Sequence, residues 1–196
     1  DRNKDFKSLK LYLTNEKDEV YSKINSFIDE HNYYDREKLY YILDSYHREC
    51  IHIPMSNICK NNDFVIISDI DEIPNREIIQ KINKIKTPAV CEQNEFKYFL
   101  NLYSNNKWYG STIFKYSDIK TKSLNTIRRY SRSLNIIKNG GYHFTSIGSK
   151  KEIINKIENW GHQEFNKEII KKNIIKNIKN GRDIFYRFNQ PKNIII

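Results

Sequence analysis

The sequence predicts a mixed α/β fold in a single domain spanning residues 1–196. Three observations carry that reading. Phe64-Val65-Ile66-Ile67 is a short apolar run with the length and β-branched content of a fully buried strand. Helical spacing of apolar residues recurs on both sides of it, as in Val20, Ile24, Phe27 and Ile28 and again in Ile170, Ile174 and Ile178. Between the two lie aromatic-rich runs that read as paired strands. A chain of 196 residues is long enough for one well-buried domain and short for two.

Taken in order, residues 10–14 read as a short strand, 16–31 as a helix, and 35–60 as a second helix carrying Leu39, Ile42, Leu43 and Tyr46. Pro54 kinks or ends that helix. After the apolar strand, Pro74 suits the first turn of a helix whose buried face holds Ile78, Ile79, Ile82 and Ile85 and which Thr87-Pro88 closes. Residues 89–91 and 96–103 read as strands. Asn105-Asn106 supplies a turn into a third strand at 107–116, making a hairpin. Residues 117–133 read as helical and carry Arg128, Arg129 and Arg132. Asn139-Gly140-Gly141 is a turn before the aromatic strand Tyr142-His143-Phe144. Ser149 and Glu152 form a capping box for a helix with Ile153, Ile154, Ile157 and Trp160 on one face. A polar connector at 162–166 leads to the last helix, which Asn180-Gly181 ends, and residues 184–187 add an edge strand. There is no internal repeat and no linker.

The net charge of +10 points to an anionic partner. Residues 167–182 carry six basic residues against Glu168, which reads as a solvated helix face. Cys50, Cys59 and Cys91 have no metal-ligand spacing, and their odd count argues against a disulfide framework and for a reducing, cytoplasmic setting. No apolar run approaches the roughly 20 residues of a transmembrane helix, and no signal peptide is expected.

The chemistry concentrates in Ser68-Asp69-Ile70-Asp71-Glu72-Ile73-Pro74. Asp69 and Asp71 follow a strand, at the end where open α/β sheets hold ligands. Two carboxylates there suit a divalent cation carrying a diphosphate, since hard cations take carboxylate and phosphate oxygens together. Three readings stay open at this point. In a nucleotide-sugar transferase the acids hold the metal; in a haloacid-dehalogenase-type phosphohydrolase Asp69 is the nucleophile; in the plainest reading both are exposed turn residues. The phosphohydrolase pattern wants Thr or Val where Ile73 stands. A non-enzymatic alternative is a basic module using the helix 167–179 on nucleic acid or an anionic surface.

The acidic string resembles the motif of glycosyltransferase family 17, which includes the β-1,4-mannosyl-glycoprotein β-1,4-N-acetylglucosaminyltransferases. His47-Arg48-Glu49 falls where that family has an Arg before the acidic strand. Tyr98 to Asn101 and Trp108-Tyr109-Gly110-Ser111-Thr112 are similar to its hairpin region. Gly140-Gly141-Tyr142-His143-Phe144 is similar to its Gly-Trp-His segment. Lys156-Ile157 through His162-Gln163-Glu164-Phe165-Asn166 resembles bacterial-type members, and Gly181-Arg182-Asp183-Ile184-Phe185 matches a further segment, so the likeness spans roughly 45–188. It implies a GT-A-like fold with a mixed, mainly parallel central sheet flanked by helices. Residues 1–45 depart from the pattern, as in a chain lacking part of the N-terminal subdomain.

The resemblance further implies a metal-dependent, inverting glycosyltransferase. Its donor would be a UDP-sugar such as UDP-N-acetylglucosamine, its cofactor Mn²⁺ or Mg²⁺, and its acceptor a glycan hydroxyl; no nucleic-acid partner is expected. Asp71 and Asp69 are then the metal pair, with His143 completing the metal or diphosphate site. Glu164 is the expected general base, with Glu95, Glu72 and Asp118 as rivals and His162 as its companion. Glu72 is expected to cap the following helix. Arg48, Arg128 and Arg129 are candidates for the diphosphate. Trp108, Tyr98 and Tyr142 could stack on sugar, and Gly110 lets backbone approach a ligand closely.

Overall fold

The computed structural model describes residues 44, 45, 47–186, 194 and 195. The strand expected at 10–14, the helix at 16–31, the stretch 35–43, Tyr46 and Arg187 lie outside the described residues. In chain order the elements are α1 (His52–Ile58), β1 (Phe64–Ile67), β2 (Glu72–Pro74), α2 (Arg76–Gln80), β3 (Ala89–Lys97), β4 (Leu102–Lys115), α3 (Tyr116–Ile119) and α4 (Leu124–Arg129), then β5 (Asn135–Thr145), α5 (Lys150–Asn159), α6 (Glu168–Lys179) and β6 (Ile194–Ile195). Two compact units emerge. One takes the described chain up to Asp63 together with Lys115–Tyr130; the other takes Phe64–Phe114 with Ser131–Ile196.

The described part of the first unit is helical, and one buried carboxylate ties it together. Glu49 accepts hydrogen bonds from the Ser123 hydroxyl (2.6 Å), the backbone N–H groups of Leu124 and Asn125 (3.2 and 3.1 Å) and the Asn125 side chain (2.8 Å). Those backbone donors belong to the first turn of α4, where no intrahelical acceptor exists. Pro54 sits in the first turn of α1, which starts two residues earlier, so its missing N–H costs no ladder bond. The helical stretch expected over 117–133 is broken into α3, α4 and a 3₁₀ turn, Ser131–Ser133.

The second unit holds the sheet, in the order β1-β4-β3-β5-β2, with β6 added to the start of β4. Among the described residues the sheet is not mainly parallel. Of the pairings with a defined register, β3–β5 is parallel, while β2–β5, β3–β4 and β4–β6 are antiparallel. The reason is the tight connection at residues 98–101: parallel neighbours need a crossover of a dozen or more residues, and a short turn returns the chain antiparallel. That turn uses Tyr98 at φ 66°, so the hairpin reverses there and not at Asn105-Asn106. Asn105, at φ 57°, instead sits inside β4 opposite a register irregularity in β3 between Asn94 and Phe96. Asn139-Gly140-Gly141 likewise proves to be an irregularity within a continuous β5, not a turn before a new strand.

β1 forms where expected, but it lies at one end of the strand order and is half-buried, not fully buried. Pro74 ends β2, and Asn75 caps α2 by accepting from the Glu77 N–H. The predicted isoleucine helix is shorter than its pattern: α2 stops at Gln80 and a 3₁₀ turn carries Ile82. Ile78, Ala89, Cys91 and Ile113 make one core cluster. The larger cluster joins Tyr98, Leu102, Ile153, Ile157, Ile170, Ile174, Ile184 and Phe185, fixing α5 and α6 to the hairpin turn. Each fully buried isoleucine there contributes about 1.5–3 kcal/mol. α5 opens with the expected capping box, and α6 ends at Asn180 with Gly181 in the left-handed region (φ 62°). The N–H groups of Arg182 and Gly181 close back on Asn177 and Ile178, the Schellman pattern. Ile184 and Phe185 are core residues of a turn; the edge strand expected there does not form over its described part.

Gly141 is where β5 is shared: it pairs with Pro74 of β2 and with Gln93 of β3. Its φ of +135° disfavours any side chain, and a Cβ would collide with the Ile73 carbonyl oxygen. Gly141→Ala is expected to cost about 2–4 kcal/mol of stability in denaturant unfolding; an unchanged midpoint contradicts this packing.

Candidate functional site

The acidic loop is shaped by its own backbone. Asp69 donates its N–H to the Glu72 carboxylate (3.1 Å), and Glu72 returns its N–H to the Asp69 carbonyl (3.0 Å). The exchange closes a tight turn with the Ile70 side chain 100% exposed at its tip. Ser68 donates its hydroxyl to Ser111 on β4 (2.5 Å). On the far side, the Phe144 N–H of β5 donates to the Asp71 carbonyl (2.8 Å), so the loop is held at both ends.

Glu72 is not a helix cap. It is 2% exposed, and its second oxygen accepts the Trp108 indole N–H (2.7 Å). Gly110 makes this possible, since a Cβ there would come within 2.5 Å of the Glu72 carboxyl carbon and of Gln93 Oε1. The expected close approach at Gly110 is therefore made by Glu72. Burial and the nearby negative charge of Glu72 push the Cys91 thiol up to about 12, which leaves it unreactive.

Asp71, its side chain 27% exposed, faces an imidazole and an ammonium: Oδ1 lies 3.7 Å from His143 Nε2, and Oδ2 lies 3.4 Å from Lys156 Nζ. Burial is the largest single influence on its carboxyl and opposes ionisation. The pull of His143 and then Lys156 outweighs it and holds Asp71 below its ordinary carboxylate value. His143 is buried and its ring stacks on Trp108 at 4.4 Å and 17°. Its other nitrogen, Nδ1, stands 3.7 Å from Glu95 Oε1, beyond hydrogen-bond range, and has no hydrogen-bond partner among the described residues. Glu95 is itself engaged by the Ser104 hydroxyl (2.6 Å) and Lys97 (3.2 Å). Register explains the grouping: β5 places His143 opposite Glu72 on one side and Glu95 on the other. Tyr142, one residue earlier, turns to the opposite face beside Phe96 and Phe144.

Glu164 lies in a 3₁₀ turn, Gln163–Phe165, with Oε1 2.8 Å from His162 Nδ1. It connects to the acidic loop stepwise. The His162 ring is 4.5 Å from the Trp160 ring, and Lys156 Nζ lies 6.0 Å above Trp160. Tyr98 is a core residue whose hydroxyl accepts the Ile184 N–H (3.0 Å), which leaves no sugar-stacking role for its ring. Arg48 and Arg128 belong to the first unit: Arg48 donates to the Asn125 side chain (3.1 Å), and Arg128 is half-buried in the last turn of α4.

The structure brings Asp71, His143 and Trp108 together and sets Glu72, Glu95 and Lys156 around them. Among the described residues no group of three or more His, Cys, Asp or Glu side chains is arranged to hold a metal ion, so Asp69 does not complete such a set with Asp71 and His143. Two ligands of a small cation, each about 2.1 Å from it, stand about 3–3.5 Å apart. The Asp71–His143 separation of 3.7 Å is close to that, leaving further positions to water or a bound molecule.

A half-buried carboxylate thus lies between an imidazole and an ammonium just before β2. The model of glycosyltransferase family 17 matches residues 6–190, and the chain belongs to that family. Glycosyl transfer is accordingly its class of activity. The match reaches well in front of residue 45, where the sequence likeness was expected to begin. No curated protein and no solved structure matches the chain.

Because Asp71 ionises more easily folded than unfolded, it adds stability that is complete above about pH 4 and is lost as pH falls through its depressed value. In metal-free buffer the stability advantage of wild type over Asp71→Asn should be full near about pH 6 and shrink below about pH 4. A pH-independent difference contradicts the assigned surroundings of Asp71.

Proposed function

We propose that the chain is a metal-dependent inverting glycosyltransferase that moves N-acetylglucosamine from UDP-N-acetylglucosamine to a glycan hydroxyl. The observation that carries this is the half-buried Asp71 carboxylate facing both His143 and Lys156 in a chain of glycosyltransferase family 17. Asp71 and His143 would be the protein ligands of a Mn²⁺ or Mg²⁺ ion, with donor phosphates and water filling its other positions. Such an ion supplies positive charge where the diphosphate leaving group becomes more negative.

The protein's own residues divide the remaining work. Trp108 holds the His143 ring flat, and Glu72 holds Trp108. Glu164, oriented by His162, is the general base that takes the acceptor hydroxyl proton as its oxygen attacks the anomeric carbon. Of its rivals, Glu72 has both oxygens engaged, and Glu95 is buried behind His143 with Ser104 and Lys97 on it. Neither is placed to receive a proton from an acceptor. Asp118 lies in the first unit, on α3.

Calorimetry is expected to detect UDP binding in the presence of Mn²⁺ and to lose it by tenfold or more in Asp71→Ala. Glu164→Gln should lower kcat by about 10²–10⁴ with little change in donor KM. UDP binding that ignores both Mn²⁺ and Asp71 would refute the metal role, and near-normal turnover of Glu164→Gln would move the base elsewhere.

A further inference from the structure

Asp71 has a cationic partner, Lys156, for which the family likeness implied no role. Helix α5 is anchored by its capping box and by Ile153 and Ile157 in the core, which fixes the turn that carries Lys156. From there the flexible side chain crosses to the acidic loop, Nζ standing 3.4 Å from Asp71 Oδ2, with its head over Trp160. The pair is open to water: the Lys156 side chain is 36% exposed and that of Asp71 27%. At 3.4 Å the bond is long, and an ammonium carries three donors on a four-carbon stem. Lys156 is thus tethered at the loop with donors to spare.

We propose that Lys156 binds the diphosphate of the donor and serves as the counter-ion of Asp71 until a divalent cation takes that carboxylate. The proposal rests on the reading of the acidic loop as a sugar-nucleotide site. A carboxylate beside a diphosphate is a repulsive arrangement, and one divalent ion does not neutralise both. An ammonium within reach of the same carboxylate supplies the missing charge. With a cation on Asp71 the attraction between Asp71 and Lys156 would weaken, and the Lys156 ammonium would be free to turn to a phosphate oxygen. Arrival of the cation and engagement of Lys156 with the diphosphate are therefore coupled.

This predicts effects that a packing role would not produce. Lys156→Met keeps an apolar stem against Trp160 and removes the charge. Without its competing cation, Asp71 should bind Mn²⁺ alone as well as or better than in wild type. UDP, titrated at saturating Mn²⁺, should bind Lys156→Met at least tenfold more weakly, while Lys156→Arg stays within about threefold of wild type. Calorimetric titration of the full chain with Mn²⁺, then with UDP, reads both. Weaker UDP binding with Mn²⁺ affinity unchanged or raised supports the proposal. Unchanged UDP binding overturns it, and so does a parallel fall in both affinities, which marks a structural loss. If wild type itself shows no Mn²⁺-dependent UDP binding, the reading of the site fails and this inference fails with it. If wild type binds and Lys156→Met binds equally, this inference alone fails.

Discussion

The site depends on one buried carboxylate. Glu72 accepts the Asp69 N–H with one oxygen and the Trp108 indole N–H with the other, in space that Gly110 leaves open. A charged acceptor receiving two donors is a strong arrangement, and its loss would leave both donors without it in a poorly hydrated interior. Through Asp69 it fixes the turn that presents Asp71. Through Trp108 it fixes the plane against which His143 stacks. Asp71 and His143 are thus positioned from the same residue, which is itself buried. This is a division of labour in a short motif: Asp71 is partly open to solvent, and Glu72, next along the chain, faces the core.

The sheet serves the same end. Because β5 pairs in parallel with β3 and antiparallel with β2, His143 has Glu95 on one flank and Glu72 on the other. Inward positions of β3 that would ordinarily be apolar carry Gln93, Glu95 and Lys97. Polar residues buried in a strand are costly unless paired, and here Ser104 and Lys97 meet Glu95, while Ser111 meets Gln93. The aromatic residues of the same strands, Phe96, Tyr103, Tyr142 and Phe144, occupy the opposite face.

What could be read from the residues was local. The strand Phe64–Ile67, the capping box at Ser149 and the glycine stop at Gly181 are signalled by neighbours within a few positions, and all three are present. Asn105-Asn106 and Asn139-Gly140-Gly141 were equally clear as places of unusual backbone. Their meaning depended on which strand lay alongside, so apparent turns became irregularities within long strands. Strand direction followed from the turn at Tyr98, a buried aromatic with a positive φ that no composition rule marks. Within the site, the acids and the late histidine were legible from their order and from a family likeness. The pairing of Lys156 with Asp71 was not, because the two lie 85 residues apart and a lysine on an amphipathic helix is unremarkable. Glu72 was misread because a carboxylate just before a helix is ordinarily a cap, and only the indole opposite decides otherwise.

The central claim is that the loop ending in Asp71 is where a cation and a nucleotide diphosphate meet. Anomalous diffraction from crystals grown with Mn²⁺ and UDP tests it most directly. The account predicts a manganese peak bonded to the Asp71 carboxylate with His143 beside it, and diphosphate density between that peak and Lys156. Manganese and nucleotide bound elsewhere on the chain, with Asp71 still paired to Lys156, would contradict it.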